Sequence, residues 1–251
     1  MSRQFTHQFT ITADETDWML EMPLASLVDT IINTATGHAN ELGIGFASLS
    51  LKNASWVLSR LAIDLRETPR FGHTYRLHTW VTSLNRLYSE RAFELTELTA
   101  DGNERNIGWM SSVWMAIDLD TRRPVDLTAT LDVSPSDMWP DRNFGGSGCG
   151  RLQPLAGADA TQTRRVMVSD IDVNRHLTTT RYIQMLVDLW PIEHYEEYRT
   201  ARFEIAFKHE IRYGATAEAS RLADRAMIAA EGSPCALASF SFEDRKTLTQ
   251  Q

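Results

Sequence analysis

The chain has 251 residues, of which 43% are hydrophobic and 23% charged, and its net charge at pH 7 is −8. This balance is typical of a globular protein and excludes disordered, collagen-like and disulfide-stapled chains. The acidic charge argues against binding to nucleic acid, whose phosphates require an excess of lysine and arginine, and against adhesion to anionic membranes.

The cysteines and the N-terminal residues indicate a cellular compartment. Cys149 and Cys235 are the only cysteines, lie far apart and form no paired motif, so we expect a reducing environment. The first 15 residues are polar and lack the apolar core of a signal peptide, and no apolar run is long enough to span a membrane. The sequence therefore predicts a cytoplasmic protein.

The first predicted element is a long amphipathic helix from Leu24 to about Leu42. Pro23 stands at its entry, where a missing N–H costs nothing, and Gly43 lies just past its end. Apolar side chains recur at helical spacing and form one face. These residues are Leu24, Leu27, Val28, Ile31, Ile32, Ala35 and Ala39.

Four stretches that follow this helix alternate apolar and polar residues and are rich in aromatic and β-branched types. They are Trp56–Leu65, Tyr75–Thr82, Arg91–Leu98 and Gly108–Asp118. A long helix followed by antiparallel strands predicts an α+β unit.

The pattern ends near Asp126. The glycine-rich run FGGSGCGR at 144–151 fits neither the dinucleotide-binding, the Walker A nor the nucleophile-elbow spacing. We therefore interpret this region as a flexible connector between two units. The predicted boundaries are 1–130 for the first unit, 131–163 for the linker and 164–251 for the second unit.

Beyond the linker the order of elements restarts. A short strand at Arg164–Ser169, a helix from Arg175 to about Trp190 and a strand at Ala201–Ile211 are predicted, with shorter strands following to Phe242. Arg60–Thr74 aligns with Arg202–Thr216 without gaps, and arginine, isoleucine, glycine and threonine recur at matching positions. Agreement of this match with the repeated helix–strand order predicts a tandem duplication.

A group of polar residues lies where the second predicted helix begins. Asp172, Asn174 and His176 occupy alternate positions, which in an extended segment would place their side chains on one side. A carboxylate, an amide and an imidazole together can orient groups and transfer protons. On spacing alone, Asp172 or Asn174 could equally be a helix cap and His176 a surface residue. Glu210 could likewise be a solvated residue paired with a neighbouring Lys208 or Arg212.

These motifs resemble the active-site signature of acyl-acyl-carrier-protein (acyl-ACP) thioesterases. In the second half, the matching segments are DIDVNRH at 170–176, which precedes a predicted helix, and KHEIRYG at 208–214. In the first half, the segments WVLSR, TWV and SSVWMAID match too. The resemblance covers roughly residues 5–245. Three departures are Ile211 where the family often has cysteine, Thr178 and Thr179 where it favours asparagines, and Ala215 where aspartate is usual.

The resemblance implies a tandem hotdog fold, in which each unit has an antiparallel sheet wrapped around a long central helix. It also implies hydrolysis of fatty acyl-ACP to a free fatty acid, without metal or cofactor. The implied catalytic residues are Asp172, Asn174, His176 and Glu210. Glu210 would be the general base or, less favourably, the nucleophile, Asn174 and His176 would contact the reacting group, and Asp172 would orient them.

The resemblance further implies an acyl pocket in the first unit and docking of acyl carrier protein, with its acyl-phosphopantetheine thioester, on basic residues. The expected pocket residues are Ile31, Ile32, Trp56, Trp109 and Trp114. The expected basic residues are Arg164, Arg165, Arg175 and Arg181, which a solvated surface would explain equally well.

Other functions stay open on the sequence. An acyl-CoA thioesterase or a dehydratase could use the same fold and the same residue types, and an acyl-binding protein would need only the pocket. The histidine spacings argue against a metal enzyme. Both a monomer and a homodimer are compatible with the sequence.

Overall fold

The computed structural model describes residues 3–248. Within this range the chain forms two compact units: residues up to Pro23 and from Thr30 to Cys149 build the first, and Leu24–Asp29 with residues from Gly150 onward build the second. None of the helices in the described range combines the length and apolar character that a membrane span requires.

The sheet of the first unit is antiparallel, with strands in the order β1-β3-β4-β5-β2. Its elements are β1 Phe5–Thr10, α1 Leu24–Glu41, α2 Phe46–Ser50, β2 Ala54–Leu65, β3 Thr74–Leu84, β4 Ser89–Leu98, β5 Glu104–Asp118 and α3 Leu127–Thr130. All four predicted strands of this half are confirmed. Strand β1 was not predicted, because only three of its six residues are partly buried and its pattern is short.

Helix α1 confirms the prediction, and its part from Thr30 onward packs on this sheet. Leu27, Val28 and Ile31 are at most 1% exposed, as the helical spacing required. On the same helix, the buried His38 accepts a hydrogen bond at 2.7 Å from Arg91 on β4. Burial lowers the pKa of Arg91 to about 10, so the guanidinium stays charged at neutral pH. This polar contact fixes the helix against the sheet.

The predicted linker is packed over part of its length. Residues 139–147 cover the sheet face that carries Trp80 and Ala92, opposite to the Arg91 face. Its contacts are Arg142 over the Trp80 ring at 4.1 Å, Phe144 edge-on to Trp109 at 5.7 Å between ring centroids, and the Ser147 amide to the Asp64 carboxylate at 2.7 Å. The interpretation of this stretch as a flexible connector is therefore wrong for these residues.

The sheet of the second unit has the order β7-β10-β9-β8-β6 and is also antiparallel. Its elements are β6 Ala160–Arg165, α4 Thr179–Val187, α5 Ile192–Glu197, β7 Tyr198–Phe207, β8 Thr216–Leu222, β9 Arg225–Ala230, β10 Ser233–Asp244 and α6 Arg245–Leu248. Strand β6 begins at Ala160, inside the predicted linker, and ends before the predicted strand does.

Two predicted boundaries in the second unit are wrong. Helix α4 begins at Thr179 rather than Arg175, because the Thr178 hydroxyl caps it by accepting from the Arg181 amide at 3.3 Å. Strand β7 ends at Phe207 rather than Ile211. The central helix is consequently long only in the first unit, and Glu210 lies in a loop.

The structure confirms the repeat between the two units. Strands β2 and β7 end at the aligned Leu65 and Phe207, and β3 and β8 begin at the aligned Thr74 and Thr216. Between them, Gly72 and Gly214 adopt the same left-handed backbone, with φ of +77° and +82°. Glycine is needed at both turns because an L side chain rarely adopts this conformation.

We predict that Gly72→Ala lowers the free energy of unfolding by about 1–2 kcal/mol, and Gly214→Ala by a similar amount. The cause is backbone strain alone, because a Cβ at either position would meet nothing within 4 Å. Urea titration measures the effect. Gly157→Ala is the matched control, since that site is equally open but has no positive φ. Equal stability of the three variants would contradict the strain argument.

Candidate active site

The segment that carries Asp172, Asn174 and His176 is a tight turn closed by the aspartate. The Asp172 carboxylate accepts from the amides of Asn174 at 2.8 Å and His176 at 3.0 Å. The Asp172 amide donates to the His176 carbonyl at 2.8 Å, and Arg175 has a φ of +62°. The prediction of an extended segment is therefore wrong here, because the carboxylate satisfies backbone amides and bends the chain.

The first unit contains the same turn with different side chains. The Asp17 carboxylate accepts from the amides of Met19 at 2.8 Å and Glu21 at 3.1 Å. The Asp17 amide donates to the Glu21 carbonyl at 2.8 Å, and Leu20 has a φ of +60°. Sequence comparison missed this repeat, since DWMLE at 17–21 and DVNRH at 172–176 share only the aspartate. Asp172 thus has a backbone-organising role that does not depend on chemistry.

His176 and Glu210 meet in space, although they are far apart in the sequence. The His176 Nε2 atom lies 3.2 Å from a Glu210 carboxylate oxygen, and the two side chains are 15% and 38% exposed. A backbone bond from Leu177 to the Ile211 carbonyl at 2.7 Å holds the two segments together. The arrangement pairs an imidazole with a solvent-accessible carboxylate, which can take a proton from water and pass it on.

Asn174 is exposed at the tip of the same turn. Its amide nitrogen lies 3.5 Å from Asp172 Oδ2, at the limit of a hydrogen bond. The amide can therefore reorient towards a bound carbonyl oxygen at little cost.

Tyr182 supports the loop that carries Glu210. Its hydroxyl donates to the His209 carbonyl at 3.3 Å, and its ring packs edge-on against Phe207. Burial raises the pKa of Tyr182, so its hydroxyl remains a donor at neutral pH. Sequence analysis did not single out Tyr182, although its place on the buried face of α4 was a usable signal.

The four predicted basic residues do not form one cluster. Arg164 and Arg181 each lie 2.9 Å from the carboxylate of Asp170, a residue that sequence analysis overlooked. Arg165 follows Arg164 on β6 and so points to the opposite face of the strand. Arg175 lies exposed in the Asp172 turn.

Asp170 is 0% exposed and anchors the segment before the turn. Burial alone would raise the pKa of Asp170, but the Met167 amide and the two arginines outweigh it and hold the pKa below its usual range. The Asp170 carbonyl also accepts from the Thr178 amide at 2.8 Å, which ties the segment to the start of α4.

The predicted acyl-pocket residues divide between the two faces of the first sheet. Ile31 is fully buried on α1 and Ile32 partly buried. Trp56 packs against the end of α1 and donates to the Ile44 carbonyl at 2.8 Å. Trp114 lies on the Arg91 side of the sheet, whereas Trp109 is five positions away on the other face, beneath the segment 139–147.

Comparison with known proteins identifies the family. The model of the acyl-ACP thioesterase N-terminal domain matches residues 2–131, and that of the C-terminal domain matches residues 156–233. The crystal structure of an acyl-ACP thioesterase from Bacteroides thetaiotaomicron is 31% identical, with a TM-score of 0.85 over 97% of this chain and 100% of that one.

Two more distant relatives are also similar to this chain. The 12:0-ACP thioesterase from Umbellularia californica is 16% identical and shares the fold, with a TM-score of 0.80 over 98% of this chain and 99% of that one. The chloroplastic palmitoyl-acyl carrier protein thioesterase of Arabidopsis thaliana is 23% identical over 218 residues, which are 82% of this chain and 52% of that protein. The chain thus spans about half the length of the curated relatives it matches.

These likenesses confirm the predicted α+β, tandem hotdog fold. The two domain models match in order and together cover most of the chain. The protein belongs to the acyl-ACP thioesterase family.

Proposed function

We propose that this protein hydrolyses fatty acyl thioesters carried by acyl carrier protein, releasing a free fatty acid and the carrier thiol. The observation that carries the proposal is the contact of 3.2 Å between His176 and Glu210 beside the Asp172 turn. Family membership supports the reaction type, because the Bacteroides structure of similar length is an acyl-ACP thioesterase.

In the proposed reaction, water attacks the thioester carbonyl carbon while Glu210 takes a proton from it. Asn174 donates a hydrogen bond to the carbonyl oxygen, on which negative charge develops. Collapse of the intermediate breaks the C–S bond. The leaving sulfur takes up a proton and departs as the carrier thiol. His176 can relay that proton, since its Nε2 atom lies 3.2 Å from Glu210. Asp172 is a positioning residue that acts through the backbone of Asn174 and His176.

Comparison of the two units supports a single site in the second. At the positions equivalent to Asn174, His176 and Glu210, the first unit has Met19, Glu21 and Thr68. A methionine cannot donate to a carbonyl oxygen, and a threonine hydroxyl is not a base at neutral pH. The shared turn in the first unit therefore carries none of the proposed reacting groups.

The remaining assignments are also part of the proposal. We place the acyl chain beside α1 in the first unit, near Ile31, Ile32, Trp56 and Trp114, and leave Trp109 out because it faces the other way. The cytoplasmic location and the choice between monomer and homodimer remain predictions from the sequence.

We predict that His176→Ala and Glu210→Gln each lower kcat by about 10²- to 10⁴-fold, because each removes one partner of the proton relay. The assay measures free thiol released from acyl-ACP and acyl-CoA of several chain lengths. Thr68→Ala, at the equivalent position of the first unit, is the matched control and should keep wild-type activity.

The same assay separates the alternative functions. Preference for acyl-CoA would identify an acyl-CoA thioesterase, and an enoyl product from a 3-hydroxyacyl thioester would identify a dehydratase. A wild-type protein that hydrolyses no thioester, or variants with full activity, would overturn the proposed function.

We predict that Asp17→Ala lowers the free energy of unfolding by about 1–3 kcal/mol, because it leaves two part-buried turn amides without their acceptor, and that Asp172→Ala lowers it less, because water can reach the amides of Asn174 and His176. Only Asp172→Ala should also lose hydrolytic activity. Unfolding in urea and thiol release measure the two effects. Asp172→Asn keeps one acceptor oxygen and should restore most of the stability. If Asp172→Asn is stable but inactive, the carboxylate itself takes part in the reaction.

A further inference from the structure

A cavity of about 520 Å³ lies between α4 and the edge strand β6 of the second unit. Its lining is mainly polar and includes Arg164 and Gln162 from β6 and Arg181, Gln184 and Asp188 from the α4 segment. The reaction proposed above does not use this cavity.

The end of the cavity near the active-site turn is cationic. The guanidinium groups of Arg164 and Arg181 share one carboxylate, that of the fully buried Asp170, at 2.9 Å each. Two positive charges thus face one negative charge. The arginine side chains are 46% and 32% exposed, so solvent and ligands can reach them. Asp188, the acidic residue in the lining, lies seven residues beyond Arg181, about 10 Å along the helix.

The repeat between the two units indicates that this charge is not part of the scaffold. Strand β1 of the first unit is equivalent to β6, and its residue Phe9 stands at the place of Arg164. Ser26 stands at the place of Arg181, counted from the shared aspartate turn. The first copy of the repeated elements thus folds without either arginine, and both arginines occur only in the copy that carries His176 and Glu210.

We propose that the arginine end of this cavity binds the phosphate of the substrate's pantetheine arm. The proposal rests on the proposed function, because every thioester of acyl carrier protein or of coenzyme A carries a phosphate at the far end of that arm. Guanidinium groups match phosphate oxygens in charge and geometry. Asp170 orients both groups before the ligand arrives, which lowers the entropic cost of binding.

The position of the arginines relative to the active-site turn fits this role. Asp170 and Arg181 flank the segment 172–176 in the chain, and the bond of 2.8 Å between the Thr178 amide and the Asp170 carbonyl ties both ends together. The proposal requires that a thioester whose phosphate lies at Arg164 and Arg181 extends its arm along this segment to reach His176 and Glu210.

The test compares substrates with and without the phosphate. Wild type, Arg164→Gln, Arg181→Gln and Arg165→Gln are assayed on acyl-ACP, on acyl-CoA and on the same acyl group attached to N-acetylcysteamine, which lacks a phosphate. We expect the Arg164 and Arg181 variants to raise KM about tenfold or more on the phosphate-bearing substrates, with little change in kcat. Their activity on the N-acetylcysteamine thioester should equal that of wild type.

Arg165→Gln is the matched control. It removes the same charge from the neighbouring position of β6, but on the opposite face of the strand, and should leave the activities on acyl-CoA and on the N-acetylcysteamine thioester unchanged. An effect confined to acyl-ACP would mean that the arginines contact the carrier protein instead of the phosphate and would overturn the proposal. Equal losses on all three substrates would overturn it too, since they would indicate disturbed folding around Asp170.

A direct binding measurement tests the phosphate site independently of the proposed hydrolysis. Calorimetric titration with 4′-phosphopantetheine should give binding to wild type and to Arg165→Gln, and about tenfold weaker binding to the Arg164 and Arg181 variants. If wild type hydrolyses no thioester but binds 4′-phosphopantetheine in this pattern, only the proposed function fails. If it hydrolyses thioesters and all four proteins bind the compound equally, only the phosphate site fails.

Discussion

One interaction organises each unit: an aspartate carboxylate that accepts two backbone amides and closes the turn before the central helix. Asp17 does this in the first unit and Asp172 in the second. The amides of the Asp17 turn are partly buried and would be costly to leave without an acceptor, whereas those of the Asp172 turn are exposed; in both turns the two bonds to one carboxylate fix the path of the chain. The position of His176 relative to Glu210 follows from that path, because the residue after the turn is held against the segment 210–212.

The duplication shows how a site can be added to an existing scaffold. The strand ends, the left-handed glycines and the aspartate turn are the same in both units and need no particular side chains around them. Among the many differences between the units, three lie at the proposed reacting positions: Met19 corresponds to Asn174, Glu21 to His176 and Thr68 to Glu210. The scaffold supplies geometry, and the substituted side chains supply the chemistry.

The first unit differs from the second in the length of its central helix and in how its sheet is covered. Its central helix has 18 residues against nine in the second unit. Its sheet is covered by α1 on one face and by the segment 139–147 on the other.

Local sequence patterns were sufficient to predict several elements of the fold. The spacing of α1, the alternation of the first unit's strands and the aligned Gly72 and Gly214 all follow from periodicity and backbone preference, and the structure confirms them. The motifs also identified the family. The sequence named His176 and Glu210 as candidates but could not show that their side chains touch.

The remaining features depend on side-chain hydrogen bonds and packing, which appear only in the folded chain. The spacing around Asp172 predicts an extended segment, but in the structure its carboxylate accepts from amides two and four residues ahead and closes a turn. The glycine-rich segment has the composition of a connector, but in the structure the Phe144 ring packs edge-on against Trp109. Asp170 belongs to the motif at 170–176, but its burial and its two arginine partners appear only in the structure. Side-chain hydrogen bonds and burial are set by the fold, and local sequence patterns do not encode them.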